Sequence, residues 1–325
     1  MLARLAENLF WAGRYLERAE DTARMVDVTY HTLLESPQQE VAQAWEQLLD
    51  VLHLTQLYLD RHAGPDGIAV VRPERVIEFL VIDPDNPGSI TASVTRAREN
   101  GRSVRELISS ELWEATNDLH LTLRARDLHA DLADQPFELF RTVKQRCQTI
   151  AGVATETMPR DDAWRFLTLG RMLERAEMTC RLLNVRYGQL ADQTAPVAFH
   201  HWVGVLKSVS ALEAFRKRYR ASMDPVAVVE FLLLSREFPR SVLFALETAE
   251  RQLEHLGGGD ASRARRILGR SRAALQYRDV GELMEEGLHH FLDLVQDRVH
   301  STASAVADEF FRHTPEGTLH AIATS

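Results

Sequence analysis

Apolar residues recur at alternating steps of three and four positions along the first 33 residues of the chain. Such a period places one apolar stripe on a long α-helix. A second series of the same kind begins near residue 166. The two series are Leu2, Leu5, Leu9, Ala12, Leu16, Ala19, Ala23, Val26, Tyr30 and Leu33, and then Phe166, Leu169, Leu173, Ala176, Cys180, Leu183, Tyr187 and Leu190. We therefore predict two long amphipathic helices, each packed against neighbouring helices.

Most of the remaining chain shows the same helical period. The stretches 39–59 and 279–312 carry apolar residues at helical spacing, and 226–238 has the composition of a short buried helix. Alternation of period two, which marks half-buried β-strands, is hard to find. Glycine- and proline-rich segments at 61–67, 83–88 and 255–260 predict loops. The sequence thus predicts an all-α protein.

Two segments of the chain are nearly repeated. Residues 13–30, GRYLERAEDTARMVDVTY, match residues 170–187 with 11 of 18 positions identical, and residues 76–99 match 228–251 with seven of 24. We predict two tandem, related helical bundles, 1–156 and 157–312, packed with pseudo-twofold symmetry and with their first helices central. Residues 313–325 are predicted to form a flexible tail.

Composition narrows the class of protein. The chain has 325 residues, of which 45% are hydrophobic, so it can bury a large core. Its formal charge of −9, with mixed acidic and basic residues, argues against nucleic-acid binding. Because no apolar run approaches 18 residues and no export signal is seen, we expect no membrane span, a cytoplasmic location, and buried thiols at Cys147 and Cys180.

No familiar motif for a cofactor or a metal ion is present. The chain has no P-loop, GxGxxG, HExxH or CxxC motif. Glu286 and His289 have the Glu-x-x-His spacing of di-iron bundles, but such a site needs a second copy of this pair, which the sequence lacks. We expect neither a cofactor nor a metal site.

The repeated helix carries charged residues at regular positions. On a helix, Glu17, Glu20 and Arg24 share a face, and Glu20 with Arg24 forms a favourable pair four residues apart. The second copy repeats these positions, whereas Asp21 becomes Met178 and is not part of the repeated set. The residues in question are Glu17, Arg18, Glu20 and Arg24, and then Glu174, Arg175, Glu177 and Arg181. They are interpreted either as half-buried ion pairs that fix helix register or as a paired polar site for an anionic or peptidic ligand.

A second candidate region follows the turn at 83–90. Asn86 is predicted to cap the next helix, with the amides of Gly88 and Ser89 accessible to a phosphate or carboxylate. The following stretch interleaves arginines and glutamates, which predicts either a salt-bridged helix pair or an anion pocket with Trp113 and Asn117 as its floor. The arginines are Arg96, Arg98, Arg102 and Arg105, and the glutamates are Glu99, Glu106 and Glu111.

The motifs LARLAENLFWAGRYLERAEDTARMVDV, FLVIDPDNPGSI, ARENGRSVRELISSELWEATN and FLTLGRMLERAEMTCRLLNVRY resemble the bacterial alpha-E domain family. The resemblance extends to about residue 312. It carries the family's Glu-Arg positions onto Glu17-Arg18 and Glu174-Arg175, its Asn-Pro helix start onto Asn86-Pro87, and its Arg-Glu-Asn helix onto Arg98-Glu99-Asn100. Gly101 departs from the small helix-forming residue expected there, so an unbroken helix across 95–110 is in doubt.

The resemblance also implies partners. Members of this family occur beside, or fused to, a circularly permuted ATP-grasp protein and a transglutaminase-like cysteine peptidase, which implies a system that forms or modifies peptide or amide bonds. We expect a non-catalytic helical partner or peptide-binding module in such a system. The alternatives are an enzyme with a Glu/Arg pocket between the halves, acting on a carboxylate- or peptide-type substrate, and a structural dimerisation bundle that forms a homodimer. A deep cavity lined by Glu20, Arg24, Glu99 and Arg102 would favour the enzyme.

Overall fold

A computed structural model describes residues 1–33, 38–63, 70–190, 195–220, 223–257 and 262–312. The predicted tail, 313–325, lies outside the described residues. Within them the structure contains helices and no β-strand, so the prediction of an all-α fold is confirmed.

Sixteen α-helices follow one another along these residues. They are α1 (Ala3–Thr32), α2 (Gln38–Leu52), α3 (Thr55–His62), α4 (Pro73–Val81), α5 (Ile90–Ser103), α6 (Ser110–Arg124), α7 (Leu128–Asp134), α8 (Pro136–Thr157), α9 (Asp162–Leu190), α10 (Ala195–Ser208), α11 (Leu212–Tyr219), α12 (Pro225–Leu234), α13 (Val242–Leu256), α14 (Arg263–Gln276), α15 (Val280–Glu286) and α16 (Leu288–Val306). A 3₁₀ turn spans Arg105–Leu107, and a π-helical turn, Ala307–Phe311, continues α16.

The two long helices, α1 and α9, pack against each other and against most of their neighbours. Helix α1 contacts α5 and α8, and α6 packs between these two. Helix α9 contacts α13 and α16, and α14 contacts both of those. The same packing order therefore recurs in the two parts of the chain, and α1 with α9 joins them. That the two parts derive from one copied unit stays a prediction.

Side-chain caps set where several helices begin. The hydroxyl of Ser89 accepts a hydrogen bond from the amide of Ala92, so Ser89 is the N-cap of α5. The prediction that Asn86 caps this helix is wrong. The fully buried Asn86 instead fixes the turn, because its amide nitrogen donates to the Phe79 carbonyl and its Oδ1 accepts from the amide of Gly88. Since the amide of Ser89 donates to the Asn86 carbonyl, neither predicted amide is open to an anion.

Gly101 does not interrupt its helix. Helix α5 continues through Gly101 and ends at Ser103, and Val104 follows as its C-cap. A β-carbon at residue 101 would lie 3.8 Å from the Trp113 ring, an ordinary contact distance. The expectation of a break within 95–110 holds only beyond Ser103, where the 3₁₀ turn leads into α6.

Two glycines bring α1 and α9 into backbone contact. A β-carbon at Gly13 would lie 2.1 Å from the carbonyl oxygen of Leu167, and one at Gly170 would lie 2.0 Å from the carbonyl oxygen of Phe10. Only glycine allows so close an approach, because every other residue carries a β-carbon. The helices therefore touch along their backbones, and the charged residues beside each glycine face the opposite helix.

Candidate functional site

Each of the two repeated glutamates accepts hydrogen bonds from arginines of the opposite helix. Glu17 on α1 receives Arg175 in a two-pronged contact, with Nε at 2.6 Å from Oε1 and Nη2 at 2.9 Å from Oε2. Glu174 on α9 receives Arg18 in the same manner, at 2.6 and 3.1 Å. Two-pronged guanidinium–carboxylate contacts combine charge with fixed geometry, so they set the register of the two helices.

Further arginines complete both groups. Arg14 bonds Glu174 and Glu177 at 2.5 Å each, and Arg181 pairs with Glu177 from the same helix. On the Glu17 side, Arg171 lies 3.5 Å and Arg240 lies 3.1 Å from the carboxylate. We refer to the whole set as the Glu-Arg network: Arg14, Glu17, Arg18, Glu20, Asp21, Arg24, Arg171, Glu174, Arg175, Glu177, Arg181 and Arg240.

Arg240, immediately before the Ser241 cap of α13, joins three acids of α1. Its guanidinium lies 2.5 Å from Glu20 and 2.6 Å from Asp21, in addition to its contact with Glu17. Glu20 also pairs with Arg24, which donates in turn to the Ser210 hydroxyl. The position of Arg240 aligns with Gly88 in the first half, just as Asp21 aligns with Met178. Asp21 and Arg240 thus form an ion pair whose aligned positions hold no charge.

Burial and neighbouring charge act on the carboxylates in opposite directions. Burial alone would raise the pKa of Glu17, but Arg175, Arg240 and Arg171 more than offset it and hold that pKa below its usual range. Burial is likewise outweighed at Glu174, whose pKa falls to about 2 beside Arg14 and Arg18.

Asp21 behaves differently. Burial raises its pKa to about 7, and the nearby carboxylates of Glu17 and Glu20 add to the rise against the opposing effect of Arg240. The two repeated glutamates are therefore ionised at neutral pH, whereas Asp21 titrates near it.

The Glu-Arg network leaves little space for a ligand. Glu17 and Glu174 are 1% and 2% exposed. The cavity beside Glu17, Glu20 and Arg171 measures about 10 Å³, the room of one water molecule at most. The geometry therefore favours the interpretation of the repeated residues as buried ion pairs that fix helix register.

The second candidate region is brought together only in part. Arg98 donates to Asn117 at 3.1 Å, pairs with Glu99, and lies 5.7 Å from the centre of the Trp113 ring. Arg102 bonds Glu99 at 2.9 Å from an exposed position, and Glu106 is exposed as well.

Arg96 lies apart from this group. Its guanidinium is 5.8 Å from the ring of Tyr15 on α1, so it faces the opposite side of α5.

The four residues named for an enzyme cavity do not form one. Glu20 and Arg24 are buried in the Glu-Arg network, whereas Glu99 and Arg102 lie at the surface of α5. Throughout the described ranges, no hydrogen bond or ion pair joins the first two residues to the second two.

Sequence reasoning missed three arginines of the network. Arg14 and Arg171 precede the repeated acids by three residues, so their recurrence was visible in the sequence, but their orientation toward the opposite helix was not. Arg240 gave no signal, because it is remote in the sequence and lacks a counterpart in the first half.

The cysteine and histidine candidates have structural surroundings. Cys147 and Cys180 are buried free thiols, as predicted, and burial raises the pKa of both. His289 contacts the side chain of Asn184 at 2.6 Å, and Glu286 pairs with Arg278 at 2.7 Å. Across the parts of the chain that the structure describes, no three His, Cys, Asp or Glu side chains are grouped as a metal ion requires.

A profile for the family Alpha-E, described as a predicted alpha-helical domain with a conserved ER motif, matches residues 1–311. The chain belongs to the Alpha-E family. The Glu-Arg dipeptides at residues 17–18 and 174–175 are thus placed, in this Alpha-E domain, in contact with each other across α1 and α9.

Three relatives are similar to this chain over most of its length. Two are uncharacterized proteins from strains of Mycobacterium tuberculosis and one is from Mycobacterium bovis, and each is 27% identical to this Alpha-E chain over 322 residues. The match covers 94% of this chain but 36% of each relative, so the chain spans about a third of the length of these curated relatives. No solved structure matches the chain. None of the helices in the described ranges has both the length and the apolar content needed to cross a membrane.

Proposed function

We propose that this Alpha-E chain is a non-catalytic peptide-binding module that serves an ATP-grasp-linked system for forming or modifying peptide or amide bonds. The observation that carries the proposal is an apolar cleft of about 380 Å³ between α1, α2, α4 and α7. Its walls include Tyr30, Trp45, Ile77 and Leu132. A cleft of this size with mostly apolar walls suits a few peptide side chains.

The exposure of α7 supports a cleft that is open to solvent on that side. Helix α7 buries none of its side chains, and Leu128 and Leu132 stay half-exposed. The aligned helix of the second half, α15, buries Val280 and Leu283 and packs against α12. The helix at this position is thus packed in the second half of the chain, whereas in the first half it leaves the cleft open.

Charge along the cleft suggests the kind of peptide. Glu74 and Glu78 line it from exposed positions on one face of α4, and the carboxylate of Glu78 contacts the imidazole of His129, at 3.3 Å. Glu74 makes no ion pair within the described ranges, and the remaining segments contain no lysine or arginine. The carboxylate of Glu74, with Glu78 one turn further along the same helix and beside apolar walls, favours a peptide that carries an ammonium group.

The role of the ATP-grasp protein rests on family resemblance. The closed Glu-Arg network supports the non-catalytic part, because its acids and guanidinium groups are bound to one another rather than facing a substrate cavity.

Co-purification with the neighbouring ATP-grasp protein, followed by an ATP-consumption assay with and without this chain, tests the proposal. We expect a complex and a changed turnover, and we expect Ala133→Trp, which fills the cleft from an exposed position, to abolish the change in turnover. Glu114→Gln on the exposed face of α6 is the control and should behave as wild type. No complex together with unchanged ATP consumption would reject the proposal.

A further inference from the structure

One half-buried arginine outside the Glu-Arg network has no acidic partner among the described residues. Arg186, near the end of α9, donates from Nη1 to the amide oxygen of Gln47 on α2 at 2.5 Å. Within the described ranges it forms no ion pair with a carboxylate. Buried charges in proteins are normally paired or bound to an ion, because an isolated charge is costly to remove from water. Arg186 therefore carries a partly desolvated charge that the described residues leave without a counter-charge.

The surroundings of Arg186 contain space for that anion. A cavity of about 50 Å³ lies between α1, α2, α9 and α10, and Arg186 lines it together with His200 and His201. The described residues that line it include no aspartate or glutamate. The described walls of this cavity thus carry one guanidinium and two imidazoles, and none of these wall residues carries a negative charge.

Hydroxyl groups add to the polar lining. Thr29 on α1 is buried, and its hydroxyl makes no hydrogen bond within the described ranges, so it can donate one to a bound group. The Ser208 hydroxyl donates to the Gly204 carbonyl and so contributes only an acceptor. Arg186 and Thr29 are therefore the clearest donors.

Desolvation acts on the same guanidinium. Burial lowers the pKa of Arg186 to about 10, and no neighbouring charge offsets the shift. Arg186 remains cationic at neutral pH, so the free-energy cost of its desolvation remains until an anion binds.

We propose that this cavity binds a small oxyanion group, a carboxylate or a phosphate, with Arg186 as its principal ligand and Thr29 as a second donor. The cavity of about 50 Å³ is a few times the roughly 10–15 Å³ that holds one water molecule on the same measure, so it admits one such group. The bound group is either a free ion or the end of a longer ligand. This inference goes beyond the proposed function and does not depend on the cleft at α4 and α7.

Titration calorimetry on the full chain with inorganic phosphate, acetate and acetyl-glycylglycine measures the binding, at constant ionic strength set by sodium chloride. Acetyl-glycylglycine amide, which lacks the carboxylate, separates the terminal carboxylate of a peptide from other features. We expect at least one oxyanion to bind and the amide not to bind. Arg186→Gln should weaken the binding by about tenfold or more, as expected for hydrogen bonds to a charged donor. The control, Arg216→Gln at an exposed position on α11, should match wild type.

Thermal unfolding distinguishes a ligand site from a structural role. If Arg186 serves an anion, Arg186→Gln should melt at the same or a higher temperature than wild type without oxyanions and should lose the stabilisation that they give. Binding of none of the oxyanions to wild type, or equal binding to Arg186→Gln, would overturn the proposal. So would an Arg186→Gln variant that melts lower by the same amount with and without oxyanions. None of these results bears on the ATP-grasp complex.

Discussion

The backbone of Gly13 lies directly against the carbonyl oxygen of Leu167, at a distance that leaves no room for a β-carbon. Phe10 and Gly170 repeat this contact with the helices exchanged. Backbone contact at these two points brings the arginines of α1 within reach of the carboxylates of α9, and the arginines of α9 within reach of those of α1. The glycines and the ion pairs therefore form one packing arrangement.

A methyl group at either glycine should separate the helices. We expect Gly13→Ala and Gly170→Ala each to lower the free energy of unfolding by about 1–3 kcal/mol or more, as overpacking does in protein cores. Gly152→Ala is the control, because it is exposed within α8 with no heavy atom within 4 Å of the added carbon. It should stabilise by about 0.5–1 kcal/mol. Urea unfolding measures all three, and near-wild-type stability of Gly13→Ala would show that the contact is looser than described.

Removing the charge of a repeated glutamate should strand its arginines. We expect Glu17→Gln and Glu174→Gln each to cost about 3–5 kcal/mol of stability, because the guanidinium groups stay buried without their counter-charge. The exposed Glu156→Gln on α8 should change stability by less than about 0.5 kcal/mol.

The double variant Glu17→Gln with Glu174→Gln distinguishes a structural role of these residues from a ligand-binding role. A structural role predicts a large fall in melting temperature. An unchanged melting temperature with loss of ligand binding would instead assign these residues to a binding site.

Acid should unfold the protein through the same two carboxylates. Their folded-state pKa values lie below the ordinary value of 4.5, so their contribution is present above pH 4.5 and is lost as pH falls toward about 2. Asp21 acts in the opposite direction, because its raised pKa makes stability fall as pH rises from about 4 to 7.

Chemical denaturation at successive pH values measures the combined effect of Glu17, Glu174 and Asp21 on the free energy of unfolding. We expect the free energy of unfolding to fall by a few kcal/mol between pH 5 and pH 2.5, since each pKa unit corresponds to about 1.4 kcal/mol. In Glu174→Gln the fall should be smaller. A flat profile over this range would contradict the ionised state of both glutamates.

Asp21 and Arg240 should prove energetically coupled. Asp21→Met leaves the half-buried Arg240, and Arg240→Gly leaves the buried Asp21, without one of its partners. The double variant installs the residues found at the aligned positions, Met178 and Gly88. We expect the double variant to be more stable than the sum of the two singles implies, by about 1–3 kcal/mol. Arg236 is exposed in the same turn and provides the control. A cycle that combines Asp21→Met with Arg236→Gly should show no coupling.

The sequence by itself determined the helices and which residues recur. Alternating steps of three and four fixed the amphipathic faces of α1 and α9, because an α-helix turns once in 3.6 residues. The repeated LERAE segments indicated the glutamates and arginines that form ion pairs between α1 and α9. The sequence predicted local hydrogen bonds less well. The N-cap of α5 is Ser89 and not Asn86, because the Asn86 side chain bonds the Phe79 carbonyl and the Gly88 amide instead.

Only the tertiary structure decided which charges meet. Arg175 reaches Glu17, and Arg240 reaches Asp21, across more than 150 residues of chain, and no local spacing encodes such contacts. The same holds for Arg186, which the described parts of α1, α2, α9 and α10 surround without an acidic partner. Helical period is a property of neighbours in the sequence, whereas pairing and burial of charge depend on residues that folding brings together.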